Sequence, residues 1–190
     1  KINSSEVLKK LGIKKQKYVL ATIHRPVNVD NKENLAKIIS IFEGISHSAR
    51  TNDPGIKIVL PIHPRTLKMA EKFALLKKLE GINNIIITEP AGYTDFIKLL
   101  TDCKFVVTDS GGIQEEATFL KIPCLTLRES FERPETLKLG SNTLCGLNEK
   151  LIIKKTAEIF KGKYKKGKIP HLMDGKAAVR IVKVIKTRLF

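Results

Sequence analysis

A serine followed by two glycines, Ser110-Gly111-Gly112, is the group in this sequence whose residue types and spacing best suit phosphate binding. Residues 103–107 before it have the length and composition of a buried strand, and a helical pattern continues after it to residue 120. We expect the two glycines to adopt backbone angles closed to other residues and to leave their N–H groups accessible. With the Ser110 hydroxyl, these groups would form an anion site at a helix N-terminus.

Two carboxylates, Glu115 and Glu116, fall in the first turn of the helix that follows the glycines. We interpret Glu115 as a complement to the helix dipole. Glu116 lies one turn beyond the glycines, where a carboxylate can accept hydrogen bonds from both hydroxyls of a ribose. Because a turn of serine and glycine is common, this interpretation depends on what the neighbouring loops contribute.

Strands and helices alternate along the chain. The pattern predicts strands at residues 17–23, 56–62, 84–88, 103–107 and 122–127, and an edge strand at 142–145. It predicts helices at residues 3–11, 65–79, 148–160 and 174–189, and another that begins after a capping box of Asp30 and Glu33. Since short loops join these elements, we expect an α/β fold with a Rossmann-like parallel sheet and helices on both faces.

Chemically capable side chains follow the predicted strands, and ligands of such sheets bind at the carboxyl ends of the strands. These side chains are His24, Arg25, Asn28, His63, Arg65, Phe96, Ser110, Arg128 and Arg133. A lone histidine is more often structural, but His24 and His63 at neighbouring strand ends together favour a function. For Phe96, core packing and contact with a base are both open. Arg133 is either part of a surface ion pair or a phosphate ligand.

The formal net charge of +16 invites a nucleic-acid interpretation. We discount it because aromatic residues make up only 6% of the chain, tryptophan is absent and the lysines are spread over the predicted helices. No apolar run has membrane length and the N-terminus is unlike a signal peptide, so we expect a cytoplasmic protein that binds neither nucleic acid nor membrane. Cys103, Cys124 and Cys145 are far apart and are interpreted as small buried apolar residues.

Five loop motifs together resemble one protein family. They are His24-Arg25-Pro-Val-Asn28, His63-Pro-Arg-Thr, Pro90-x-x-Tyr93-x-x-Phe96, the stretch from Thr108 to Ala117, and Glu132-Arg133-Pro134-Glu135. Their order and spacing are similar to those of the non-hydrolysing UDP-N-acetylglucosamine 2-epimerases. The match runs from about residue 18 to residue 146, with a looser fit to the end.

The resemblance implies the second domain of a two-domain enzyme of the glycosyltransferase-B type, a homodimer at full length. The family interconverts UDP-N-acetylglucosamine and UDP-N-acetylmannosamine by eliminating UDP and adding it back on the other face. It uses no metal, nicotinamide or other cofactor. On this basis residues 1–16 would be a connector helix and residues 17–173 the UDP-binding domain. Residues 174–190 would be a helix that packs back on this domain or on the missing first domain.

The family's site residues carry over by matching motif. His24 would be the catalytic residue, closest to the reacting sugar. The substrate-binding residues would be Arg25, His63, Phe96, Ser110, Gly111, Gly112, Glu116 and Arg133, with the serine and glycines at the diphosphate, Glu116 at the ribose and Phe96 by the uracil. His63 and Arg133 would lie near the phosphates. Three positions depart from the family pattern: Val27 replaces a usual glutamate, Phe131 a threonine and Met173 a glycine.

One requirement of the reaction is missing from the chain. Inverting C2 of the sugar needs a general base and acid, and the family supplies these carboxylates from its first domain. The nearest carboxylates here, Asp109 and Glu89, are interpreted as structural, so we predict that the isolated chain binds UDP weakly and is inactive. Three alternatives remain open: the donor domain of a UDP-sugar glycosyltransferase, a basic nucleic-acid-binding module, and a UDP sensor whose charge docks an acidic partner.

Overall fold

Six parallel strands form one sheet in the computed structural model, which describes residues 2–130 and 133–189. They are β1 (Tyr18–Thr22), β2 (Lys57–Pro61), β3 (Ile85–Thr88), β4 (Phe105–Thr108), β5 (Cys124–Thr126) and β6 (Asn142–Leu144). Their order across the sheet is β3-β2-β1-β4-β5-β6, which confirms the predicted Rossmann-like parallel sheet. Phe131 and Glu132, named above for a departure and a motif, lie outside the described residues.

Helices connect the strands. After a 3-10 turn at Ile2–Ser4 they are α1 (Val7–Lys10), α2 (Pro26–Val29), α3 (Lys32–Asn52), α4 (Pro64–Lys72), α5 (Leu76–Glu80), α6 (Tyr93–Asp102), α7 (Gly111–Phe119), α8 (Pro134–Lys138), α9 (Glu149–Phe160) and α10 (Ala177–Leu189). In the described part of the chain, none of them combines the length and the apolarity that crossing a bilayer requires.

The two faces of the sheet carry separate hydrophobic clusters, because side chains alternate along a strand. On β1, Val19 and Ala21 pack in a cluster that includes residues of α3, α4 and α9. Tyr18 and Leu20 point the other way, into a cluster that includes residues of α1, α6 and α7. Helices therefore cover both faces, as expected, and the ligand-binding edge is left to the loops. The three cysteines are buried and free, as predicted.

Predicted helix boundaries were wrong where a polar side chain forms a long-range contact or where a residue with positive φ interrupts the helix. The helix predicted at residues 65–79 is split into α4 and α5 by Ala74, whose φ is 56°. Asp30 does not cap α3, because the side chain of Asn31 accepts the hydrogen bond from Asn34 N at 2.9 Å. The predicted loop between β1 and α3 contains the short helix α2, and the predicted helix at residues 3–11 is reduced to a 3-10 turn and α1.

Helix α10 exposes a broad apolar surface. Its exposed apolar side chains are Val179, Ile181, Val182, Val184 and Ile185, which are 45–70% accessible. The surface of a monomeric soluble protein rarely exposes so many large apolar side chains in one patch. The exposure therefore does not fit a helix packed back on this domain.

Candidate functional site

The centre of the sheet, between β1 and β4, is where the chain changes direction. From β1 the chain proceeds through β2 to β3 on one side, and from β4 it proceeds through β5 to β6 on the other. The loops at such a point diverge and leave a crevice at the carboxyl ends of the strands, where ligands of these folds bind. Thr22 pairs in register with Thr108, so the loops that begin at His24 and Asp109 start side by side.

Asp109 joins those two loops. Its side chain is fully buried, and its carboxylate accepts hydrogen bonds from the backbone N–H of His24 at 3.1 Å and of Arg25 at 2.9 Å. The amide of Asn28 donates a third at 3.0 Å and also reaches the carbonyl of Leu127, again at 3.0 Å. The Nδ1 atom of His24 lies 3.3 Å from the carboxylate. One buried charge therefore holds together the ends of β1, β4 and β5.

The environment of Asp109 keeps it ionised. Burial by itself raises the pKa of a carboxyl, but the hydrogen bonds from His24, Arg25 and Asn28 outweigh burial and hold the pKa of Asp109 below its ordinary value of 3.8. From the sequence, Asp109 is interpreted as structural, and Asn28 is only one of the chemically capable side chains, without a specific role. The signal for both was their position beside two neighbouring strand ends at the centre of the sheet.

The two histidines of the loops after β1 and β2 come together. The ring centroids of His24 and His63 are 5.3 Å apart, and the planes are inclined by 35°. His63 is the N-cap of α4, where its Nδ1 accepts a hydrogen bond from Arg65 N at 3.1 Å. The hydroxyl of the buried Thr66 donates to the carbonyl of Ile23 at 2.5 Å, which fixes the start of α4 against the end of β1.

Arg65 and Asp30 fasten the same two loops on their outer side. The guanidinium of Arg65 donates two hydrogen bonds to the carboxylate of Asp30, one from Nε to Oδ1 at 2.8 Å and one from Nη2 to Oδ2. The hydrogen bond from Arg65 is the largest influence on the carboxyl and lowers the pKa of Asp30. This pair explains why Asp30 does not serve as a helix cap.

The N-terminus of α7 carries the serine and glycine group. Ser110 is the N-cap residue, and its hydroxyl makes no capping hydrogen bond within the described chain. Gly111 and Gly112 are the first two residues of the helix, and neither has a positive φ. The expectation of special backbone angles was wrong, because both glycines occupy ordinary helical positions. The expectation of access fits Gly112, which is exposed and where an added Cβ would meet no described atom within 4 Å, but not Gly111, which is buried.

Two adjacent glutamates on α7 have different surroundings. Glu115 forms an ion pair with Nε of Arg133 at 2.6 Å, which is the surface alternative considered for Arg133. The placement of both glutamates in the first turn of α7 was wrong, so Glu115 does not complement the helix dipole there. Glu116 is half-buried and makes no hydrogen bond or ion pair with another described residue. Burial and the neighbouring charge of Glu115 raise the pKa of Glu116. Glu116 lies in the second turn of α7, not the first. A half-buried carboxylate with free acceptors is suited to bind hydroxyl donors.

Phe96 and Arg25 lie on different parts of the rim. Phe96 is half-buried on α6 and packs against the same hydrophobic cluster as Ile113 of α7. Arg25 donates its backbone N–H to Asp109, and its side chain lines a cleft of about 460 Å³ together with Lys37. Across the described residues, no group of three or more His, Cys, Asp or Glu side chains is arranged to hold a metal ion.

Comparison with known proteins agrees with the loop motifs. A family model described as UDP-N-acetylglucosamine 2-epimerase matches residues 1–186. The chain belongs to the UDP-N-acetylglucosamine 2-epimerase family. The resemblance drawn from the five motifs is thereby confirmed.

Members of this epimerase family resemble the chain in both sequence and fold. The UDP-N-acetylglucosamine 2-epimerase of Methanocaldococcus jannaschii is 44% identical over 168 residues, which are 88% of this chain and 44% of the relative. A crystal structure of the M. jannaschii UDP-GlcNAc 2-epimerase in complex with UDP-GlcNAc and UDP matches 98% of this chain and 50% of that one, with a TM-score of 0.82 and 40% identity. The S. aureus MnaA structure with UDP matches with a TM-score of 0.72 and 28% identity, over 98% of this chain and 49% of that one.

The chain spans about half the length of the epimerases that it matches. This coverage fits the expectation that the sheet is one half of a two-domain fold of the glycosyltransferase-B type. The structure brings the ring of His24 into contact with both His63 and Asp109, and Ser110 follows Asp109 in the chain. Among the described residues, no contact joins this group to Phe96 or Glu116, and Arg133 pairs with Glu115 of α7.

Proposed function

We propose that the chain is the UDP-binding half of a UDP-N-acetylglucosamine 2-epimerase that interconverts UDP-N-acetylglucosamine and UDP-N-acetylmannosamine. The observation that carries this proposal is the convergence of two imidazoles and an open, glycine-started helix at the carboxyl ends of β1, β2 and β4. The M. jannaschii structure that matches 98% of the chain is a complex with UDP-GlcNAc and UDP, which supports the same ligand here.

The diphosphate of UDP would bind at the N-terminus of α7. The backbone N–H groups of Gly111 and Gly112 have no helical partner there, and the helix dipole favours an anion. The Ser110 hydroxyl is not engaged in a cap and can donate to a phosphate oxygen. His63, Arg25 and Arg133 supply further donors and positive charge from the neighbouring strand ends.

The nucleoside would extend from the same helix. Glu116 lies beyond the glycine pair and has acceptors available for both ribose hydroxyls. The half-buried Phe96 packs against the same hydrophobic cluster as Ile113 of α7. A ring at this place can cover one face of the uracil while keeping its own contacts with the core.

The chemistry assigns His24 to the sugar. When UDP leaves C1, negative charge develops on its β-phosphate, and fixed donors aimed at that charge lower the barrier more than they stabilise the ground state. His24 stands at the switch point of the sheet between the α7 N-terminus and His63. It would be the side chain of this half that lies closest to the carbon atoms at which the bond to UDP breaks and re-forms.

The general acid and base at C2 would come from the other half of the full-length enzyme. Asp109 is unsuited to remove a proton from the sugar, because its side chain is fully buried and its oxygens already accept several hydrogen bonds. We therefore expect the isolated chain to be inactive. The relatives' additional length provides the space for a first domain that carries these groups.

The division of the chain follows from the same proposal. Residues 1–16 form the connector, residues 17–173 the UDP-binding domain and residues 174–190 a helix that packs on the first domain, as the apolar exposure of α10 favours. The full-length enzyme would be a homodimer. The three cysteines of this chain are free and buried, which suits a reducing compartment such as the cytoplasm.

The proposal is tested with the full-length protein, by following conversion of UDP-N-acetylglucosamine into UDP-N-acetylmannosamine and exchange of the C2 proton with solvent. His24→Ala is expected to lower kcat by about a thousandfold. Transfer of the sugar to an acceptor without epimerisation would instead establish the glycosyltransferase alternative. Binding to any DNA duplex that weakens steeply with salt and is not competed by UDP would establish the nucleic-acid alternative.

A further inference from the structure

Asp109 is placed to control the histidine that faces the sugar. Its carboxylate has about four lone-pair positions, and four N–H groups surround it: two backbone groups, the Asn28 amide and Nδ1 of His24. Of these four donors, only the imidazole belongs to a side chain that also reaches the open rim, since His24 is 35% exposed and Asp109 is fully buried.

The contact defines which nitrogen of His24 carries a proton. An ionised carboxylate only accepts hydrogen bonds, so the nitrogen that faces it, Nδ1 at 3.3 Å, must be the protonated one. In the neutral ring Nε2 is then unprotonated and is an acceptor. The ring of His63 also lies against that of His24, with 5.3 Å between centroids, and this contact restricts rotation of the His24 ring.

We propose that Asp109 is a positioning residue for His24, which holds the proton on Nδ1 and orients Nε2 as an acceptor towards the sugar. This proposal rests on the proposed function, in which His24 is the residue nearest the reacting sugar. Asp109 itself touches no substrate. Its bonds to the backbone of His24 and Arg25 fix the loop, and its contact with Nδ1 fixes the ring, so that loop position and ring tautomer are set by one group.

A purely structural role would predict something different. In that case the backbone bonds and the Asn28 bridge to Leu127 would account for all of the effect of Asp109, and the tautomer of His24 would not depend on it. Asp109→Asn separates the two roles. An asparagine keeps the shape and can still accept from the backbone N–H groups, but its NH₂ group facing Nδ1 favours the opposite tautomer, as in the serine-protease triad where the same change lowers kcat by about 10⁴.

The experiment uses the full-length protein with ¹⁵N-labelled histidine. In the wild type, the nitrogen chemical shifts of His24, assigned with His24→Ala, are expected to show the proton on Nδ1, and in Asp109→Asn they are expected to show it on Nε2. The kcat of epimerisation should fall by about 10³ to 10⁴, while UDP affinity and KM stay within about threefold. Asp102→Asn is the matched control: Asp102 is also buried, but it pairs with Lys98 at 2.9 Å and Lys15 at 3.3 Å at the opposite end of β4. Its kcat and the His24 shifts should be unchanged.

Two results would overturn the proposal. One is a proton on Nε2 of His24 in the wild type. This measurement needs no variant, so it still tests the proposal if Asp109→Asn does not fold. The other is an Asp109→Asn substitution that lowers kcat as much in a His24→Ala background as in the wild type, since a residue acting through His24 has nothing to act on there. Full activity of His24→Ala would remove the catalytic role of His24, and the nitrogen shifts would still decide whether Asp109 sets the tautomer.

Discussion

Two carboxylates at the candidate site, Asp109 and Glu116, have pKa values shifted in opposite directions because their surroundings differ. Asp109 is buried and its hydrogen bonds lower its pKa, so it is a fixed negative charge at neutral pH. Glu116 is half-buried without such bonds, and burial together with Glu115 raises its pKa. The first group is committed to holding the protein together. The ionised form of Glu116 is disfavoured in the free protein, and hydrogen bonds from the hydroxyl groups of a ligand would stabilise it.

Glu116→Gln is expected to raise stability while it lowers affinity. Because the folded-state pKa of Glu116 is raised, the ionised carboxylate is destabilising at pH values above that pKa, and the neutral glutamine lacks this cost. The midpoint of urea unfolding at pH 7 should therefore increase. UDP affinity, measured by calorimetric titration, should fall about tenfold, which corresponds to the loss of a hydrogen bond to a charged group. Equal affinity in Glu116→Gln, Glu116→Ala and the wild type would remove the ribose assignment.

Asp109 should make the free energy of unfolding depend on pH in the acid range. Its folded-state pKa is depressed below 3.8, so its contribution is present above the unfolded-state pKa and is lost as pH falls through the folded-state value. At pH 7, Asp109→Asn should be about 2 kcal/mol less stable than the wild type. As the pH falls below 3.8 towards the folded-state pKa, the difference between the two free energies of unfolding should shrink. Urea unfolding from pH 7 to pH 3 checks this, and a constant gap would show that the carboxyl titrates alike in the folded and unfolded chains.

At the scale of elements, the N-terminus of α7 combines an ordinary helical backbone with open space. Gly112→Ala should therefore fold well and be up to about 1 kcal/mol more stable, since alanine is the better helix former. Its methyl group would occupy the place proposed for the diphosphate, and UDP affinity should fall about tenfold, or 1.4 kcal/mol. Urea unfolding and calorimetric titration measure the two effects. An unchanged affinity would place the diphosphate elsewhere.

Gly167→Ala is the control for Gly112→Ala, because it tests a glycine that the fold itself requires. A Cβ on Gly167 would lie 2.5 Å from Ser141 N and 2.9 Å from the carbonyl carbon of Gly140, both backbone atoms that cannot swing away. The substitution should lower stability by about 1–3 kcal/mol. Its UDP affinity at low temperature, where the variant is folded, should match that of the wild type.

The sequence predicts elements best where periodicity is long and local signals agree. The strand from 17 to 23 and the helix from 148 to 160 are found as β1 and α9, the latter with Asn148 as its cap. The break at Ala74 was not predictable, because no glycine or proline marks it and alanine rarely adopts a positive φ. The helix predicted to begin at Asp30 was displaced by one residue, since Arg65 captures Asp30 from 35 positions away.

The candidate site was predictable as a set of loops but not as a set of contacts. Parallel alternation of strands and helices places His24, His63 and Ser110 on one rim, and the structure agrees for the imidazoles. The importance of Asp109 depends on burial and on four donors from the loop at residues 24–28, which lies more than 80 positions away along the chain. The ion pair between Glu115 and Arg133 likewise joins two motifs that the sequence presents separately.

At the scale of the whole molecule, the main prediction is that the isolated 190-residue chain binds UDP but does not epimerise UDP-N-acetylglucosamine. Its described rim provides cations and anion-binding N–H groups, while its buried carboxylate Asp109 is already fully hydrogen-bonded. Incubation of the chain with UDP-N-acetylglucosamine in D₂O should give neither UDP-N-acetylmannosamine nor deuterium at C2. Addition of the separately expressed first half should restore both. Turnover by the chain alone would show that the acid and base reside in this half.

Helix α10 should matter only when the whole molecule is present. Ile181 and Ile185 are one helical turn apart on the same side of α10 and are 58% and 45% exposed. Ile185→Asp should therefore leave the stability of the isolated chain unchanged, but lower that of the full-length protein by about 3 kcal/mol, the cost of losing a buried isoleucine side chain and burying a charge. Thr187→Asp, two residues away on the opposite side, should affect neither. Urea unfolding of both lengths makes the comparison, and an equal effect of Ile185→Asp on both would mean that α10 packs on its own domain.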